Sequence, residues 1–285
     1  MKLAAPLILL CLLAASPLQA AEAPSIPAIP VLPANGPNES VATDVLVRVV
    51  AHGAMVLGDD VGGARVTITE VASGRLLASG LQRGEPGDQI QIMRTPRIMV
   101  EPRYSSRPSA SFRTTLFLDR PTLVEIAVQG PLAYSSALQR ASETVLLIPG
   151  QEMKNDGIVL HLYGFIVQVE SPAPGTPLVA RDDVTLTASV RTLSGSLVRP
   201  HGDWDSRRIK IYGEVLIGQH VVERLQMFYA GDKSRFEAPF FVPLPTEAPD
   251  GITLRVVAAD EAGDNFGAGE AKYPVLPEQL KPAKR

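Results

Sequence analysis

Apolar and polar residues alternate with a period of two along most of this chain. The alternation is clear at residues 45–49 and 64–71, and Ser73-Gly74 then supplies a tight turn into the apolar segment 75–78. Such a pattern predicts β-strands joined by a hairpin. Further segments rich in β-branched and aromatic residues lie at 89–93, 112–118, 123–128 and 158–169. Residues 132–143 are the one segment here whose pattern is compatible with a helix.

A proline-rich interruption, Pro-Ala-Pro-Gly-Thr-Pro at residues 172–177, separates this series from a second one. Proline and glycine at this density exclude a central strand. The second series lies at 184–190, 208–215, 221–229, 236–242, 252–258 and 270–275. Because no helix-length crossover separates the strands, the pattern predicts an all-β chain of two antiparallel β-sandwich domains in tandem. The predicted bounds are 44–171 for the first domain, 172–178 for a linker and 179–276 for the second domain.

The N-terminus has the organisation of a secretory signal peptide. Lys2 precedes an apolar run at 7–15, and small residues follow up to Ala20. The run is too short for a membrane span, which needs about 20 apolar residues, and no later segment reaches that length. We therefore predict a signal peptide at 1–20, a periplasmic or secreted protein, and no transmembrane segment after cleavage. A proline-rich extended leader at 21–43 and a basic tail at 277–285 complete the predicted organisation.

Charge and cysteine content exclude several classes of protein. Lys and Arg number 27 against 30 Asp and Glu, a formal net charge of −3, so the chain lacks the basic excess of a nucleic-acid-binding protein. The single cysteine, Cys11, lies within the predicted signal peptide. The mature chain is therefore expected to contain no disulfide, no thiol nucleophile and no thiolate metal site.

Two motifs resemble known β-sandwich modules. Residues 45–80, with Gly-Gly-Ala-Arg-Val-Thr-Ile at 62–68 followed by Ser73-Gly74, resemble transthyretin-like or carboxypeptidase-regulatory-like modules. Residues 251–267, with Ala-Ala-Asp-Glu-Ala-Gly-Asp-Asn at 258–265, resemble the end of bacterial immunoglobulin-like domains. The resemblance implies transthyretin-like and immunoglobulin-like sandwiches that serve binding, spacing or presentation rather than chemistry.

Residues with catalytic potential form no known motif. The closest approach to a nucleophile elbow, at Ser194 and Ser196, lacks the leading glycine and a following helix. His52, His161, His201 and His220 are the candidate bases near neutral pH, and they are widely separated in sequence. A hydrolase whose site is assembled by folding from histidines and carboxylates is accordingly our third hypothesis.

Two metals are candidates. His52 and Met55 offer imidazole and thioether ligands for copper(I), to which Met93, Met99 and Met153 could add if the fold gathers them. Against this, methionine commonly fills gaps in cores. Asp260, Asp264 and Asn265 offer hard oxygen ligands for calcium, although the same residue types favour tight turns.

The segment 94–113 is cationic within an acidic chain. Its candidate partner-binding residues are Arg94, Arg97, Arg103, Tyr104 and Arg107, because guanidinium groups bind carboxylates, phosphates and sulfates. Trp204, the only tryptophan, is a further candidate for an interface or a stacked sugar, with the alternative that it covers the sandwich core.

Our first hypothesis is therefore an exported, non-catalytic accessory or binding protein. It would recognise a partner protein, a glycan or an envelope component through loops of the sandwiches. The arginines of segment 94–113 favour a partner that is acidic. The second hypothesis is a periplasmic copper-handling protein that uses His and Met ligands. No cofactor other than the candidate copper or calcium is expected.

Overall fold

The alternating segments fold into two β-sandwiches that follow one another along the chain. They are seen in a computed structural model that describes residues 39–96, 98, 101–105 and 108–278. The predicted fold class, two largely antiparallel sandwiches in tandem, is confirmed. All the described residues belong to one compact unit, Asn38–Arg285.

The first sandwich contains the strands β1 (Val41–Ala51), β2 (Ala64–Glu70), β3 (Leu76–Gln82), β4 (Phe112–Leu118), β5 (Thr122–Gly130), β6 (Gln139–Leu147) and β7 (Ile158–Leu162). A three-stranded sheet of order β4-β1-β7 packs on a four-stranded sheet of order β3-β2-β5-β6. β1 is antiparallel to β4 and parallel to β7. Alternate residues of β1 and β2, among them Val47, Val49, Val66 and Ile68, are buried in one core between the sheets.

The second sandwich contains β8 (Phe165–Ser171), β9 (Leu178–Val179), β10 (Asp183–Thr192), β11 (Val198–Arg199), β12 (Trp204–Asp205), β13 (Lys210–Ile217), β14 (His220–Gln226), β15 (Phe228–Tyr229), β16 (Arg235–Phe241), β17 (Ile252–Asp260), β18 (Asn265–Tyr273) and β19 (Val275–Leu276). Its two four-stranded sheets have the orders β15-β16-β10-β8 and β14-β13-β17-β18. Leu186, Val190, Leu254 and Val256 lie in the core between them.

Glycines bring the two sheets of the second sandwich together at one edge. A Cβ on Gly267 would lie 2.7 Å from the carbonyl oxygen of Phe165, and one on Gly269 would lie 2.4 Å from that of Val167. Only residues without a side chain allow β18 to approach β8 so closely.

The chain leaves the first sandwich earlier than the sequence suggested. β8 hydrogen-bonds to β10, so residues 165–171 belong to the second sandwich rather than to the predicted first domain. The passage occurs at Gly164, whose φ of +137° breaks the apolar run 158–169 into two strands. The predicted linker, 172–178, instead joins two strands of the second sandwich.

Two local predictions differ from the structure. Residues 89–93, expected to form a strand, form the short helix α1 (Gln89–Met93), because the carboxylate of Asp88 caps it by accepting from the N–H groups of Ile90 and Gln91. Residues 132–143, the possible helix, contain only a 3₁₀ turn at Ser135–Ala137 and the start of β6. Further 3₁₀ turns lie at Asp59–Val61, Ser206–Arg208 and Asp232–Ser234.

Several predictions concern residues outside the described ranges. These are the signal peptide at 1–20, the leader up to residue 38, and the tail from residue 279 onward. Within the described part of the chain, no helix has both the length and the apolar character needed to cross a membrane.

Candidate functional site

Several residues singled out in the sequence meet where the two sandwiches touch. This junction, called the seam below, is formed by His52, Gly53, Met55, Ser194, Trp204 and Asn265. The backbone N–H of Met55 donates to Ser194 Oγ at 3.3 Å, and Asn265 Nδ2 donates to the carbonyl oxygen of His52 at 3.4 Å. The seam therefore joins the turn after β1 to the second sandwich.

Trp204 occupies the centre of the seam. Its indole packs against both hydrophobic cores, and it meets Phe165 edge-on with ring centres 5.7 Å apart. A Cβ on Gly53 would lie 3.7 Å from the indole, so the turn after β1 passes directly over the ring. Nε1 is buried and has no hydrogen-bond partner among the described residues. Trp204 thus covers core surface, as the alternative interpretation proposed, while part of it stays accessible.

Two clefts flank Trp204. The larger, about 310 Å³ and called the Trp204 cleft below, is lined by Gln89, Met93, Arg94, Gly195, Ser196, Leu197, Arg199, His201, Gly202, Asp203 and Trp204. The smaller, about 180 Å³, is lined by Gly53, Met93, Asp203, Trp204, Asp205, Arg208, Ile209, Asp260, Ala262 and Gly263. The fold therefore places three candidates from separate predictions around Trp204: Arg94, Asp260 and Trp204 itself.

The Trp204 cleft is cationic. Arg94 Nε donates to Asp203 Oδ1 at 3.0 Å, and Gln89 Nε2 donates to Asp203 Oδ2 at 2.5 Å. These bonds, led by that of Arg94, hold the pKa of Asp203 below its usual range. Arg199 forms no direct ion pair with any described residue, although its charge also lowers the pKa of Asp203, and its side chain lies against Gly202. The one acid of the cleft is thus hydrogen-bonded to Arg94 and Gln89, and the guanidinium of Arg199 has no such bond to it.

Acidification is expected to release the ion pair between Arg94 and Asp203. Since the folded pKa of Asp203 is depressed, the stabilisation is present above the unperturbed value of about 3.9 and is lost as the pH falls through the folded pKa. Trp204 adjoins Asp203, so its emission should change in a transition centred below about pH 3.9, measured by a fluorescence pH titration.

Two variants test whether the transition belongs to Asp203. Asp203→Asn should remove it, whereas Asp205→Asn, on the other side of Trp204, should leave it in place. Asp205 is the matched carboxylate, since hydrogen bonds from Arg207 lower its pKa as those from Arg94 lower that of Asp203. An unchanged transition in Asp203→Asn would show that another group is responsible.

The described central part of the cationic segment 94–113, called the arginine segment below, is hydrogen-bonded to the first sandwich. Asp156 accepts from the backbone N–H groups of Arg103 at 2.7 Å and Tyr104 at 2.9 Å. The Arg103 guanidinium donates to the carbonyl oxygen of Ile92. Of the predicted partner-binding residues that the structure describes, Arg94 and Trp204 line the Trp204 cleft, and Arg103 and Tyr104 do not. Arg97 and Arg107 lie outside the described residues, as does Met99.

The side chains of the proposed copper ligands His52 and Met55 lie in different environments. Met55 is buried in a small apolar cluster with Val50, Val56, Ile92 and Ala110. The His52 ring instead stacks on Tyr163, with ring centres 4.0 Å apart, and meets the His161 ring at 5.8 Å. Met55 therefore serves as core filling, and the copper hypothesis retains only its histidine.

The proposed calcium ligands lie in the hairpin between β17 and β18. Asn265 is 1% exposed, and its Oδ1 accepts from the N–H of Gly164 at 2.9 Å. Asp260 Oδ1 accepts from the N–H of Gly263 at 3.2 Å, and Asp264 is in the left-handed region with φ of +55°. The structure thus gives Asn265 a role in bracing the seam rather than in binding calcium. Among the described residues, no group of three or more His, Cys, Asp or Glu could share a metal ion.

Ser194, the residue nearest to a nucleophile motif, is likewise part of the seam. It is 3% exposed, and its Oγ lies 3.0 Å from that of Thr192 as well as accepting from Met55. This placement removes Ser194 as an accessible nucleophile, whereas Ser196, the other serine of the motif, lines the Trp204 cleft.

The sequence-based search missed Arg48, Asp156 and Arg199. Arg48 is 2% exposed, and Asp156 organises the arginine segment from 52 residues or more away in sequence, so no local motif could reveal either. Arg199 precedes Pro200 in the turn-rich stretch that leads to Trp204, and this proximity was the one available signal.

Comparison with known proteins identifies no family. No family model matches the sequence, and no curated protein matches it. Similar solved structures include the fibronectin(III)-like modules of Clostridium thermocellum CbhA, with 10% identity over 86% of this chain and 98% of that chain and a TM-score of 0.29. Others are a DUF3823 family protein from Parabacteroides merdae ATCC 43184 (10% identity, 82% of this chain, 100% of that chain, TM-score 0.27) and the three N-terminal domains of the bacteriophage RB49 Highly Immunogenic Outer Capsid protein, Hoc (13%, 83%, 59%, 0.26). None of these supports the transthyretin-like part of the resemblance.

Proposed function

We propose that this chain is an exported, non-catalytic binding protein that recognises an acidic glycan in the Trp204 cleft. The observation that carries the proposal is the lining of that cleft, which includes the indole of Trp204 and Arg199, an arginine that forms no direct ion pair with any described residue. Export rests on the signal-like N-terminus of the sequence.

The shape and chemistry of the cleft favour a small polar ligand. Its volume of about 310 Å³ is at the lower end of the range for small-molecule sites, about 300–1,000 Å³. An indole offers an apolar face to the C–H groups of a sugar ring, and Gln89, Ser196 and His201 add groups that can hydrogen-bond to hydroxyls.

Charge selects an anionic sugar over a neutral one. Because Asp203 is paired with Arg94, the cleft carries an excess positive charge from Arg199. A guanidinium binds a carboxylate through two parallel hydrogen bonds, which gives geometric specificity as well as affinity. A uronic acid residue combines such a carboxylate with a sugar ring.

The test is a titration of the full chain with oligogalacturonate and with a neutral galactose oligomer of equal length. Trp204 is the only tryptophan, so its emission reports directly on the cleft. We expect saturable binding of the acidic oligomer by fluorescence and by calorimetry, weakened by added salt. Arg199→Gln should weaken that binding by about tenfold or more, since charge-assisted hydrogen bonds contribute about 1.5–3 kcal/mol.

Arg75→Gln provides the matched control. Arg75 is an exposed arginine of the first hairpin, its side chain 68% exposed, and it does not line the cleft. Its replacement should leave the affinity unchanged. The proposal fails if neither oligomer produces a calorimetric signal, or if Arg199→Gln binds oligogalacturonate as tightly as the native chain.

A further inference from the structure

The outer face of one sheet of the first sandwich carries two arginines without an acidic partner among the described residues. Arg65 of β2 and Arg140 of β6 are exposed, and the side chain of neither forms an ion pair or a hydrogen bond with a described residue. Gln129 of β5 lies between them, opposite Arg65 on one side and opposite Arg140 on the other. The three side chains therefore form one row across three neighbouring strands.

A row of the same arrangement in the second sandwich shows what two such arginines bind. Glu214 of β13 lies opposite Arg224 on one side and opposite Arg255 on the other. Arg224 Nε donates to Glu214 Oε1 at 3.1 Å, and Arg255 Nη1 donates to Glu214 Oε2 at 3.1 Å. Arg255 also pairs with Glu270, so two arginines meet two carboxylates. Arginines that flank a middle strand thus reach one anion held between them, whereas the middle residue of the first row, Gln129, carries no charge.

The row borders a cavity that is large enough for a small ligand. The cavity has a volume of about 520 Å³, within the range of about 300–1,000 Å³ for small-molecule sites. Its floor is low because Ala127 lies between Thr67 and Ser142 in the next row, and all three side chains are short. The lining includes Arg65, Thr67, Glu125, Gln129, Arg140 and Ser142. It shares no residue with the lining of the Trp204 cleft, so the two sites are separate.

Charge and the number of donors favour a phosphate monoester in this row. The guanidinium groups of Arg65 and Arg140 each carry one positive charge. A phosphate monoester carries a charge of about −1.5 to −2 at neutral pH and three strong acceptor oxygens, whereas a carboxylate carries a single charge and two oxygens. Each guanidinium can donate two parallel hydrogen bonds to a phosphate, and the amide of Gln129 adds a further donor. A phosphate monoester therefore matches both the charge and the donors of the row.

The remainder of the cavity suits the hydroxyl groups of a sugar. Thr67 Oγ1 donates to the carbonyl oxygen of Ala127 at 3.3 Å, so its remaining capacity is to accept a hydrogen bond. Ser142 is exposed, and its hydroxyl can both donate and accept. None of the described residues in the lining is aromatic, so the cavity offers no stacking surface to a nucleobase.

We propose that this face of the first sandwich binds a phosphorylated sugar. The phosphate lies between Arg65 and Arg140, and the sugar hydroxyls contact Thr67 and Ser142. Glu125, the one acid among the described residues of the lining, lies two rows away from the arginines on the same face of the sheet. Its carboxylate can accept a hydrogen bond from a further hydroxyl without neutralising the row.

The test is a calorimetric titration of the full chain with glucose 6-phosphate, glucose 6-sulfate and glucose. We expect saturable binding of the phosphate ester and weaker binding of the sulfate ester, which has a similar shape and less negative charge. Glucose, which has no anionic group, should give no saturable heat. Arg65→Gln and Arg140→Gln should each weaken the binding of glucose 6-phosphate by about tenfold or more, since each removes charge-assisted hydrogen bonds.

Gln129→Glu is the most direct variant, because it places a carboxylate where Glu214 lies in the second sandwich. The added carboxylate should pair with Arg65 and Arg140 and abolish the binding of glucose 6-phosphate. The melting temperature of this variant should be no lower than that of the native chain, so the loss of binding would not result from unfolding.

Arg75→Gln and Arg199→Gln are the matched controls, since neither arginine lines this cavity. Both should retain the native affinity, and circular dichroism checks the fold of every variant. The proposal is wrong if glucose 6-phosphate gives no saturable heat or if glucose binds equally well. It is also wrong if Arg65→Gln, Arg140→Gln and Gln129→Glu all bind glucose 6-phosphate as tightly as the native chain. A loss of binding in Arg199→Gln alone would assign the phosphate to the Trp204 cleft and would likewise contradict the proposal.

Discussion

An Asn265→Ala variant is expected to unfold with a free energy about 3 kcal/mol below that of the native chain. Asn265 is 1% exposed, and its amide accepts from the N–H of Gly164 and donates to the carbonyl oxygens of Gly263 and His52. Each buried polar group left without a partner costs about 1–3 kcal/mol. Urea unfolding followed by Trp204 emission measures the difference, since Trp204 packs against both cores.

Asp264→Gly is the control within the same turn. Asp264 is exposed with φ of +55°, a conformation that glycine adopts without strain, so the free energy of unfolding should change by less than about 0.5 kcal/mol. The same pair of variants decides between bracing and calcium binding. We expect added Ca²⁺ to leave the melting temperature of the native chain unchanged; a rise that disappears in Asp264→Gly would restore the calcium site.

The local part of the fold was predictable because the alternation of apolar residues records which face of a strand is buried. The segment 64–71 and its turn at Ser73-Gly74 needed nothing beyond neighbouring residues, and β2 and β3 form the hairpin expected there. The helix α1 was missed for a similar reason. Its five residues are too few for a helical period to appear, and only the cap at Asp88 identifies it.

Long-range pairing was beyond the reach of the pattern. Residues 158–169 form one apolar run, yet Gly164 divides it between a strand that pairs with β1 and a strand that pairs with β10. A strand shows the same alternation of apolar and polar residues whether its partner is parallel or antiparallel. The pattern therefore could not indicate that β7 is parallel to β1. The contact between the rings of His52 and His161 depends on that parallel pairing.

The candidate site was predictable in its residue types and not in its assembly. Arg94 and Trp204 were singled out for their chemistry, and they line the same cleft although more than one hundred residues separate them. The excess of arginine at 94–113 suggested a solvated binding loop. Asp156, whose carboxylate accepts hydrogen bonds from the backbone of this segment, is distant in sequence. The composition of the segment carries no information about such a partner.

The arginine segment depends on a buried arginine, so replacing Arg48 by Met is expected to lower the free energy of unfolding by about 3 kcal/mol. Arg48 is 2% exposed, and burial lowers the pKa of its guanidinium, an effect that the charge of Asp156 opposes. Nη1 donates to the carbonyl oxygen of Asp156 at 2.7 Å, and Nε donates to Ser109 Oγ at 3.2 Å. Methionine fills similar space and leaves these acceptors without a donor. Urea unfolding measures the loss, and trypsin should cleave after Arg103 faster than in the native chain.

Two further variants separate the buried charge from the loop it supports. Asp156→Ala removes the acceptors of the Arg103 and Tyr104 N–H groups but keeps the carbonyl oxygen to which Arg48 donates. It should therefore increase cleavage after Arg103 with a smaller loss of stability than Arg48→Met. Arg113→Met, an exposed arginine whose charge acts on Arg48, should leave both measurements near native values. An Arg48→Met variant as stable as the native chain would contradict this prediction. It would show that the free energy of desolvating the guanidinium equals the free energy gained from its hydrogen bonds. The position of the arginine segment would then depend on Asp156 alone.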